Sequence, residues 1–273
     1  MEMKFGNFTA ETPSASTERL SLLLWGSSGC GKTTLASTAP GKKLWLSFDP
    51  DATQSIYGRD DFMFINMAKE KPRDVVEEFK AESKCLQLDR LLKESPDLFD
   101  TLVVDSITSF KEIAYPYAIA VAQSTAKGKS STIEDPGYAG YGNLNTWVRQ
   151  LVDNLLRVTA RHNKNIIFIC HEDKPSTNDD GAVMFITIML GGSLSEQVPV
   201  KISETWWLSD DGKQRKIAVR PCRQRKPMKT RMFDATSASE FVWRYDALTR
   251  TGDGIEQWFN SWLSAGTKIP LPK

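Results

Sequence analysis

The residues most suited to chemistry form a glycine-rich run near the start of the chain. In order they are Gly26, Ser27, Ser28, Gly29, Cys30, Gly31, Lys32, Thr33 and Thr34. The first eight match the P-loop pattern GxxxxGKS/T at every fixed position, and the apolar run Leu20–Trp25 before them has the length of a strand. Glycines let successive backbone N–H groups face one concavity, to which the N-terminus of a following helix adds positive charge. The run therefore predicts a turn that holds the phosphates of a nucleotide.

The lysine and the first threonine of this run suit two parts of a nucleotide complex. Lys32 would bridge the β- and γ-phosphates, and the hydroxyl of Thr33 would be a ligand of Mg²⁺. The predicted ligands are therefore ATP and Mg²⁺. A glycine-rich turn that matches by chance is the alternative, but the strand-like run before it and the helical pattern after it argue against that.

A second metal ligand is predicted at Asp105. It ends the apolar run Thr101–Asp105, which is typical of a buried strand. In a doubly wound sheet we expect this strand to lie next to the P-loop strand, so that the carboxylate reaches the metal and its water shell. The alternative is that Asp105 caps the helix that follows it. The presence of a P-loop favours the metal site.

Two carboxylates follow another predicted strand, Lys43–Phe48. The sequence continues as Asp49-Pro50-Asp51. A carboxylate placed over the γ-phosphate can polarise the attacking water, and we assign that catalytic role to Asp51, with Asp49 as the other candidate. A solvated turn without a catalytic role is the alternative.

His171 follows directly after the apolar run Ile166–Cys170. A polar side chain at the end of such a strand can contact the γ-phosphate and report its presence to the next loop. We therefore predict a catalytic or sensing role for His171. A histidine in a strand-end turn is otherwise a surface or capping residue, and that interpretation stays open.

Short apolar runs alternate with helical periodicities through most of the chain, which predicts an α/β fold with a mostly parallel sheet. One continuous helix is predicted from Pro72 to about Glu94, and a polar connection at 127–143. The last third contains short β-like runs, which predict antiparallel hairpins, and then one amphipathic helix. A chain of 273 residues accommodates one large domain with a short appendage.

The composition excludes several classes of protein. With 40% hydrophobic and 25% charged residues, the chain is neither disordered nor fibrous. No stretch approaches the roughly 18 apolar residues of a membrane helix, so no membrane partner is predicted. The four cysteines lack a CxxC pair, which argues against a disulfide scaffold and favours a reducing, cytoplasmic location.

Charge is distributed unevenly along the sequence. The chain has 35 Lys and Arg against 34 Asp and Glu, so a generally basic, histone-like protein is excluded. Residues 213–231, however, contain nine basic residues and no acid, which leaves 26 basic and 34 acidic residues elsewhere. This basic segment is a solvated hairpin, a nucleic-acid contact, or a source of a phosphate-binding residue for a neighbouring subunit.

We favour a phosphate contact for the basic segment, because a solvated face usually carries charges of both signs. The connection 127–143 adds two lysines and two tyrosines that could contact single strands, although an irregular connection is an equal alternative. The candidate contacts to DNA, or to a neighbour's nucleotide, are Lys127, Lys129, Arg220, Arg223, Arg225, Lys226, Lys229 and Arg231.

The order of these motifs resembles the RecA-like ATPase core. The resemblance rests on WGSSGCGKTT, LSFDPDA, TLVVDSIT and IIFICHED and covers about residues 18–235. Within that class the chain resembles phage nucleotide-binding proteins related to core-only recombinases and Sak-type single-strand annealing proteins. The expected fold is a RecA-like P-loop NTPase with antiparallel strands on the C-terminal side. Residues 1–17 are then an N-terminal lead, and residues 236–273 an appendage packed on the core.

The resemblance implies Mg²⁺-dependent, DNA-stimulated ATP hydrolysis by a ring or filament of identical chains. It implies single-stranded DNA as the partner, in phage-type recombination or strand annealing, with a single-strand DNA-binding protein as a further partner. RecA-like proteins usually carry a glutamate where this chain has Asp51 and a glutamine where it has His171. Their DNA loops correspond here to 127–143 and 172–183, but the second is acidic, which favours 213–231 instead.

Two other functions remain open at this stage. A small-molecule or nucleoside kinase would share the P-loop, although no arginine-rich lid is evident in the sequence. A protein that binds ATP without hydrolysing it and assembles in response is the other alternative. A GTPase is disfavoured because no NKxD motif occurs.

Overall fold

An eight-stranded sheet runs through the computed structural model, which describes residues 3–5, 8–10, 18–50, 54, 56–80 and 85–273. Its strands, β1 to β8 in chain order, are Ser21–Gly26, Lys43–Ser47, Phe62–Asn66, Thr101–Asp105, Asn165–His171, Glu204–Asp210, Arg215–Ala218 and Glu240–Trp243. Their order across the sheet is β8-β7-β6-β1-β5-β4-β2-β3. The strands from β6 to β3 are parallel, whereas β7 and β8 are antiparallel. The predicted mostly parallel sheet with antiparallel C-terminal strands is therefore confirmed.

Helices cover both faces of this sheet. They are α1 Lys32–Ala36, α2 Pro72–Phe79, α3 Leu86–Glu94, α4 Ile107–Gln123, α5 Gly137–Arg161, α6 Leu194–Val200 and α7 Ile255–Ala265, with a short 3-10 helix at Met67–Lys69. The helices α2 to α6 pack on one face, and α1 and α7 on the other. Burial on both faces explains why the central strands are continuous apolar runs instead of alternating ones.

The two cores divide each strand by the two-residue period of its side chains. In β1, Leu23 and Trp25 belong to the core under α2 to α6, while Leu22 and Leu24 belong to the core under α1 and α7. A slip of one residue in the pairing of β1 would exchange these two sets. The packing therefore fixes the register on which the strand ends depend.

Three sequence-based expectations are wrong in detail. The predicted helix from Pro72 to Glu94 is two helices, α2 and α3, and residues 81–84 between them lie outside the described residues. The connection predicted at 127–143 is shorter, because α5 already begins at Gly137. Strand β4 does not adjoin β1, since β5 lies between them.

Each of these differences has a physical reason. Cys85 precedes α3 with a left-handed φ of 56°, which ends any continuous helical path. The tyrosines of the connection lie in the first turns of α5, where Gly140 packs against Ile119 of α4. The parallel pairing of β5 with both β1 and β4 comes from a strand later in the chain, whose place the local sequence does not encode.

The C-terminal residues pack on the α1 face of the sheet. Trp258 of α7 lies 6.0 Å from Trp206 of β6, 5.9 Å from Phe233 and 5.4 Å from Phe241, between ring centroids. The proposed division at residue 236 stays a prediction, although β8 is an edge strand of the central sheet. Short strand pairs outside the sheet are Met3–Phe5 with Phe8–Ala10, Ser176–Thr177 with Val183–Phe185, Phe233–Asp234 with Ile269–Pro270, and Tyr245–Asp246 with Thr251–Gly252.

No helix in the described part of the chain is both long enough and apolar enough to cross a membrane.

The aromatic cluster around Trp258 should hold the C-terminal helix on the sheet. We expect Trp258→Ala to lower the free energy of unfolding by about 3–5 kcal/mol, because the substitution leaves a cavity among three packed rings. Urea unfolding followed by circular dichroism measures this loss. Trp262→Ala, at a half-buried position of the same helix, is the control. An equal loss in both variants would contradict the packing described.

Candidate functional site

The glycine-rich run forms a turn between β1 and α1. Gly31 precedes α1 with a φ of 100°, a conformation that residues with a Cβ rarely adopt. A Cβ on Gly26 would lie 2.3 Å from the carbonyl oxygen of Leu208 in the neighbouring strand β6. Glycine is therefore required at both ends of the turn. At Gly31 the reason is the backbone conformation, and at Gly26 it is the close approach of strand β6.

The turn borders a cavity of about 380 Å³ at the carboxyl ends of the parallel strands. Six residues of the predicted nucleotide-binding run line it: Ser28, Gly29, Gly31, Lys32, Thr33 and Thr34. Four residues from other elements complete the lining: Asp49, Asp105, His171 and Arg215. The fold therefore brings together side chains that are up to 187 positions apart in the sequence.

Lys32 is held against the backbone of the turn. Its Nζ donates to the carbonyl oxygens of Gly26, at 3.0 Å, and Ser27, at 2.7 Å. The side chain is buried, with 5% exposure, so its charge is partly removed from water. A buried ammonium group beside backbone N–H groups suits phosphate oxygens, which would take over part of its hydrogen bonding.

Thr33 and Asp105 form a pair of oxygen ligands. The hydroxyl of Thr33 donates to Oδ2 of Asp105 at 3.1 Å, across the intervening strand β5. Mg²⁺ prefers oxygen ligands and usually takes only one or two carboxylates, with water and phosphates in its other positions. The described residues contain no group of three or more His, Cys, Asp or Glu that could hold a metal. This sparse pair fits Mg²⁺ bound together with a nucleotide.

The carboxyl of Asp105 is not an ordinary surface acid. Burial raises its pKa to about 6, the nearby negative charge of Asp49 adds to this, and the hydrogen bond from Thr33 opposes it. At neutral pH Asp105 is therefore ionised at a cost to the folded state. A divalent cation beside the carboxylate would offset that cost.

Of the two candidates for the catalytic base, Asp49 lies within the described residues and Asp51 does not. Asp51 lies outside the described residues, so its predicted role stays a prediction. Asp49 lines the cavity, and the hydroxyl of Ser47 donates to its backbone oxygen at 2.7 Å. The described part of this turn therefore carries a carboxylate at the site.

His171 lines the cavity from the end of β5. Burial lowers its pKa, and the positive charge of Lys32 lowers it further. The imidazole is therefore neutral at physiological pH and can donate or accept one hydrogen bond without adding charge. Its backbone N–H donates to Thr108 Oγ1 of α4 at 3.1 Å, which ties the strand end to a helix.

Arg215 is the residue of the cavity that sequence reasoning missed. It belongs to the basic segment 213–231, but the sequence does not show which of nine cations faces the nucleotide turn. Its position follows from the pairing of β6 with β7, in which Arg215 lies opposite Asp210. Only strand register, which sequence alone left open, could have identified it.

Most of the cations singled out in the basic segment have partners within the fold. Arg223 binds Glu240 at 2.6 Å, and Arg225 binds Glu172 at 3.2 Å. Arg220 and Lys229 donate to backbone oxygens at 2.7 Å and 3.2 Å. Lys226, Arg231, Lys127 and Lys129 are exposed. Contact of any of these residues with DNA stays a prediction.

The acidic loop after His171 packs against the basic segment. Ile186 donates its backbone N–H to Gln224 at 2.9 Å and accepts one from Lys226 at 3.1 Å. The ammonium of Lys226 lies 4.8 Å from the ring centre of Phe185, which is exposed. The two segments therefore form one surface, and its acid nearest the strand end, Glu172, is paired with Arg225.

The titration of Asp105 predicts how stability depends on pH. Its folded-state pKa lies above its usual value, so ionisation disfavours the native state. In the absence of divalent cations we expect Asp105→Asn to be more stable than the wild type at pH 7.5, by up to about 3 kcal/mol. The gain should vanish between about pH 6 and pH 4, as the native wild-type carboxyl takes up its proton.

Urea unfolding across this pH range measures the difference between variant and wild type. Asp97→Asn, at an exposed position before β4, is the control and should show no such gain. A variant that is less stable than the wild type at pH 7.5, or whose difference is constant with pH, would contradict the buried, ionised carboxylate.

The sequence matches one known family. Residues 18–224 match AAA_24, described as an AAA domain. Among solved structures, the RadB recombinase is similar to this chain, with a TM-score of 0.45 and 15% identity, over 86% of this chain and 91% of that chain. No curated protein matches the sequence. The family match covers well over half of the chain and confirms the P-loop NTPase fold class, so this chain belongs to the AAA_24 family and is a nucleotide-binding domain of the AAA type.

Proposed function

We propose that this protein binds ATP with Mg²⁺, hydrolyses it, and acts on single-stranded DNA as an oligomer. The observation that carries the proposal is the cavity in which a P-loop lysine, a threonine–aspartate pair, a further aspartate and a neutral histidine meet. These are the groups that phosphoryl transfer to water needs, because catalysis there depends on positioning and on charge stabilisation.

Each side chain has a distinct task in the proposed hydrolysis. Lys32 binds phosphate oxygens, and Asp49 or Asp51 orients the attacking water and accepts its proton. Neutral His171 offers one hydrogen bond at the terminal phosphate. Thr33 and Asp105 would hold Mg²⁺, which when bound would supply positive charge to the phosphate oxygens.

The surface formed by residues 183–186 and 222–226 supports the DNA part of the proposal. It presents an exposed aromatic ring, Phe185, beside the ammonium of Lys226, and the preceding residue, Met184, is also exposed. Rings that stack on bases, together with cations that contact phosphates, are the two means by which proteins bind single strands. Arg225 of this surface is paired with Glu172, which directly follows His171 of the nucleotide site.

The resemblance to RecA-like phage proteins supports the remaining parts of the proposal. These are a ring or filament of identical chains, a role in phage-type recombination or strand annealing, a cytoplasmic location and a single-strand DNA-binding protein as a further partner. The exposed lysines Lys127 and Lys129 are secondary candidates for DNA contacts.

ATP hydrolysis with and without single-stranded DNA tests the proposed function. We expect hydrolysis that requires Mg²⁺, increases with DNA and is lost in Lys32→Ala, because that variant lacks the phosphate-binding ammonium group. The stimulation should fall steeply with salt, since phosphate contacts release counterions. Phosphate transfer to a small acceptor without dependence on DNA would contradict the proposal and favour a kinase.

The DNA surface is tested separately by Phe185→Ala combined with Lys226→Ala. We expect roughly a ten-fold or greater loss of affinity for single-stranded DNA, with ATP binding unchanged, because one stacking contact and one phosphate contact are removed. Fluorescence anisotropy with a labelled oligonucleotide measures the affinity.

The matched control for this double variant is Lys42→Ala. Lys42 is exposed and precedes β2, at the end of the sheet opposite the cavity. The Lys42→Ala variant also removes one lysine charge, but away from the proposed DNA surface, and should leave the affinity for DNA unchanged. Equal affinity in the double variant and the wild type would exclude this surface as the DNA site.

A further inference from the structure

We propose that Arg215 binds the nucleotide phosphates at the P-loop of its own chain. This inference rests on the proposed function and names a group that sequence motifs do not reveal. It replaces the expectation that a neighbouring subunit supplies a cation from residues 213–231.

The pairing of three strands places Arg215 above the P-loop. In the parallel pair of β6 and β1, Leu208 lies opposite Gly26, the first residue of the turn. Strand β6 continues two residues further, to Asp210, which lies opposite Arg215 in the antiparallel pair with β7. The first residue of β7 is therefore carried just past the end of β1, where the turn begins.

Close contacts show how near the side chain comes to the turn. A Cβ built on Gly31 would lie 3.4 Å from Nε of Arg215 and 3.2 Å from the ring of Trp243. The guanidinium carbon lies 5.8 Å from the centre of that ring. Arg215 and Trp243 therefore cover the backbone position from which helix α1 begins.

One carboxylate orients the guanidinium and leaves its outer groups available. Nε of Arg215 donates to Oδ2 of Asp210 at 3.1 Å. Among the described residues, Asp210 is the hydrogen-bond partner of this guanidinium; the side chain is 33% exposed, and the residue lines the cavity. A guanidinium held through Nε presents two NH₂ groups, which suits the paired oxygens of a phosphate chain.

The other cations of the basic segment do not share this arrangement. Arg223 and Arg225 are paired with Glu240 and Glu172, and neither lines the cavity. Lys213 is exposed in the turn between β6 and β7, two residues from Arg215, and does not line the cavity either. Of the cations in the basic segment, Arg215 is thus the one that lines the nucleotide cavity, and the contact is made within a single chain.

Equilibrium binding of a fluorescent ATP analogue with Mg²⁺ tests this assignment. We expect Arg215→Ala to weaken binding about ten-fold to a hundred-fold, because it removes hydrogen bonds from a charged donor to a charged ligand. Arg215→Lys should recover part of the lost affinity, since lysine keeps the positive charge but lacks the paired NH₂ donors of the guanidinium. The matched control, Lys213→Ala, removes one charge from the same hairpin and should bind as the wild type does.

A mixing experiment separates a contact within one chain from a contact between chains. Lys32→Ala keeps Arg215 but should not bind nucleotide itself. If the arginine acts within its own chain, excess Lys32→Ala protein will not restore binding to Arg215→Ala protein. Restored binding would show that the arginine acts on a neighbour, and would overturn the assignment.

Two further outcomes are distinguishable. Wild-type affinity in Arg215→Ala overturns this assignment and leaves the proposed function intact. A wild-type protein that binds no nucleotide overturns both. Thermal unfolding of each variant shows whether a loss of binding comes from a loss of folding. If Arg215→Ala does not fold, Arg215→Lys replaces it in the test, because lysine keeps a long cationic side chain beside Trp243.

Discussion

Five parallel strands reach their carboxyl ends at the same edge of the sheet, and the groups of the site depend on that alignment. Gly26 of β1 lies opposite His171 of β5 and Leu208 of β6, and Asp105 of β4 lies opposite Ser47 of β2. Since side chains alternate between the two faces of a sheet, a slip of one residue would turn these groups away from the cavity. The two apolar cores, one on each face, hold the register and therefore hold the site.

The cavity carries charged groups of both signs, which suits an anion and a cation that bind together. Lys32 and Arg215 contribute positive charge, while Asp49 and Asp105 contribute negative charge. Burial makes the ionised carboxylate of Asp105 costly, and a metal beside it would lower that cost. Burial, and then the positive charge of Lys32, lower the pKa of His171 and keep its imidazole neutral.

The nucleotide turn and the acid of β4 could be predicted from sequence because local patterns encode them: a glycine spacing between a strand and a helix, and a carboxylate ending an apolar run. Arg215 could not, because its place depends on the pairing of β6 with β1 and β7. The position of β5 between β1 and β4 was missed for the same reason. The loop after His171 was judged by its acids alone, whereas the adjacent basic segment brings Arg225 to Glu172.

A crystal structure with a non-hydrolysable ATP analogue and Mn²⁺ in place of Mg²⁺ tests the central claim most directly. The anomalous signal of manganese should mark a metal about 2 Å from the hydroxyl oxygen of Thr33, with Asp105 in its immediate surroundings. The phosphates should lie within the turn from Gly26 to Thr34. A metal bound elsewhere, or phosphates outside that turn, would contradict the account.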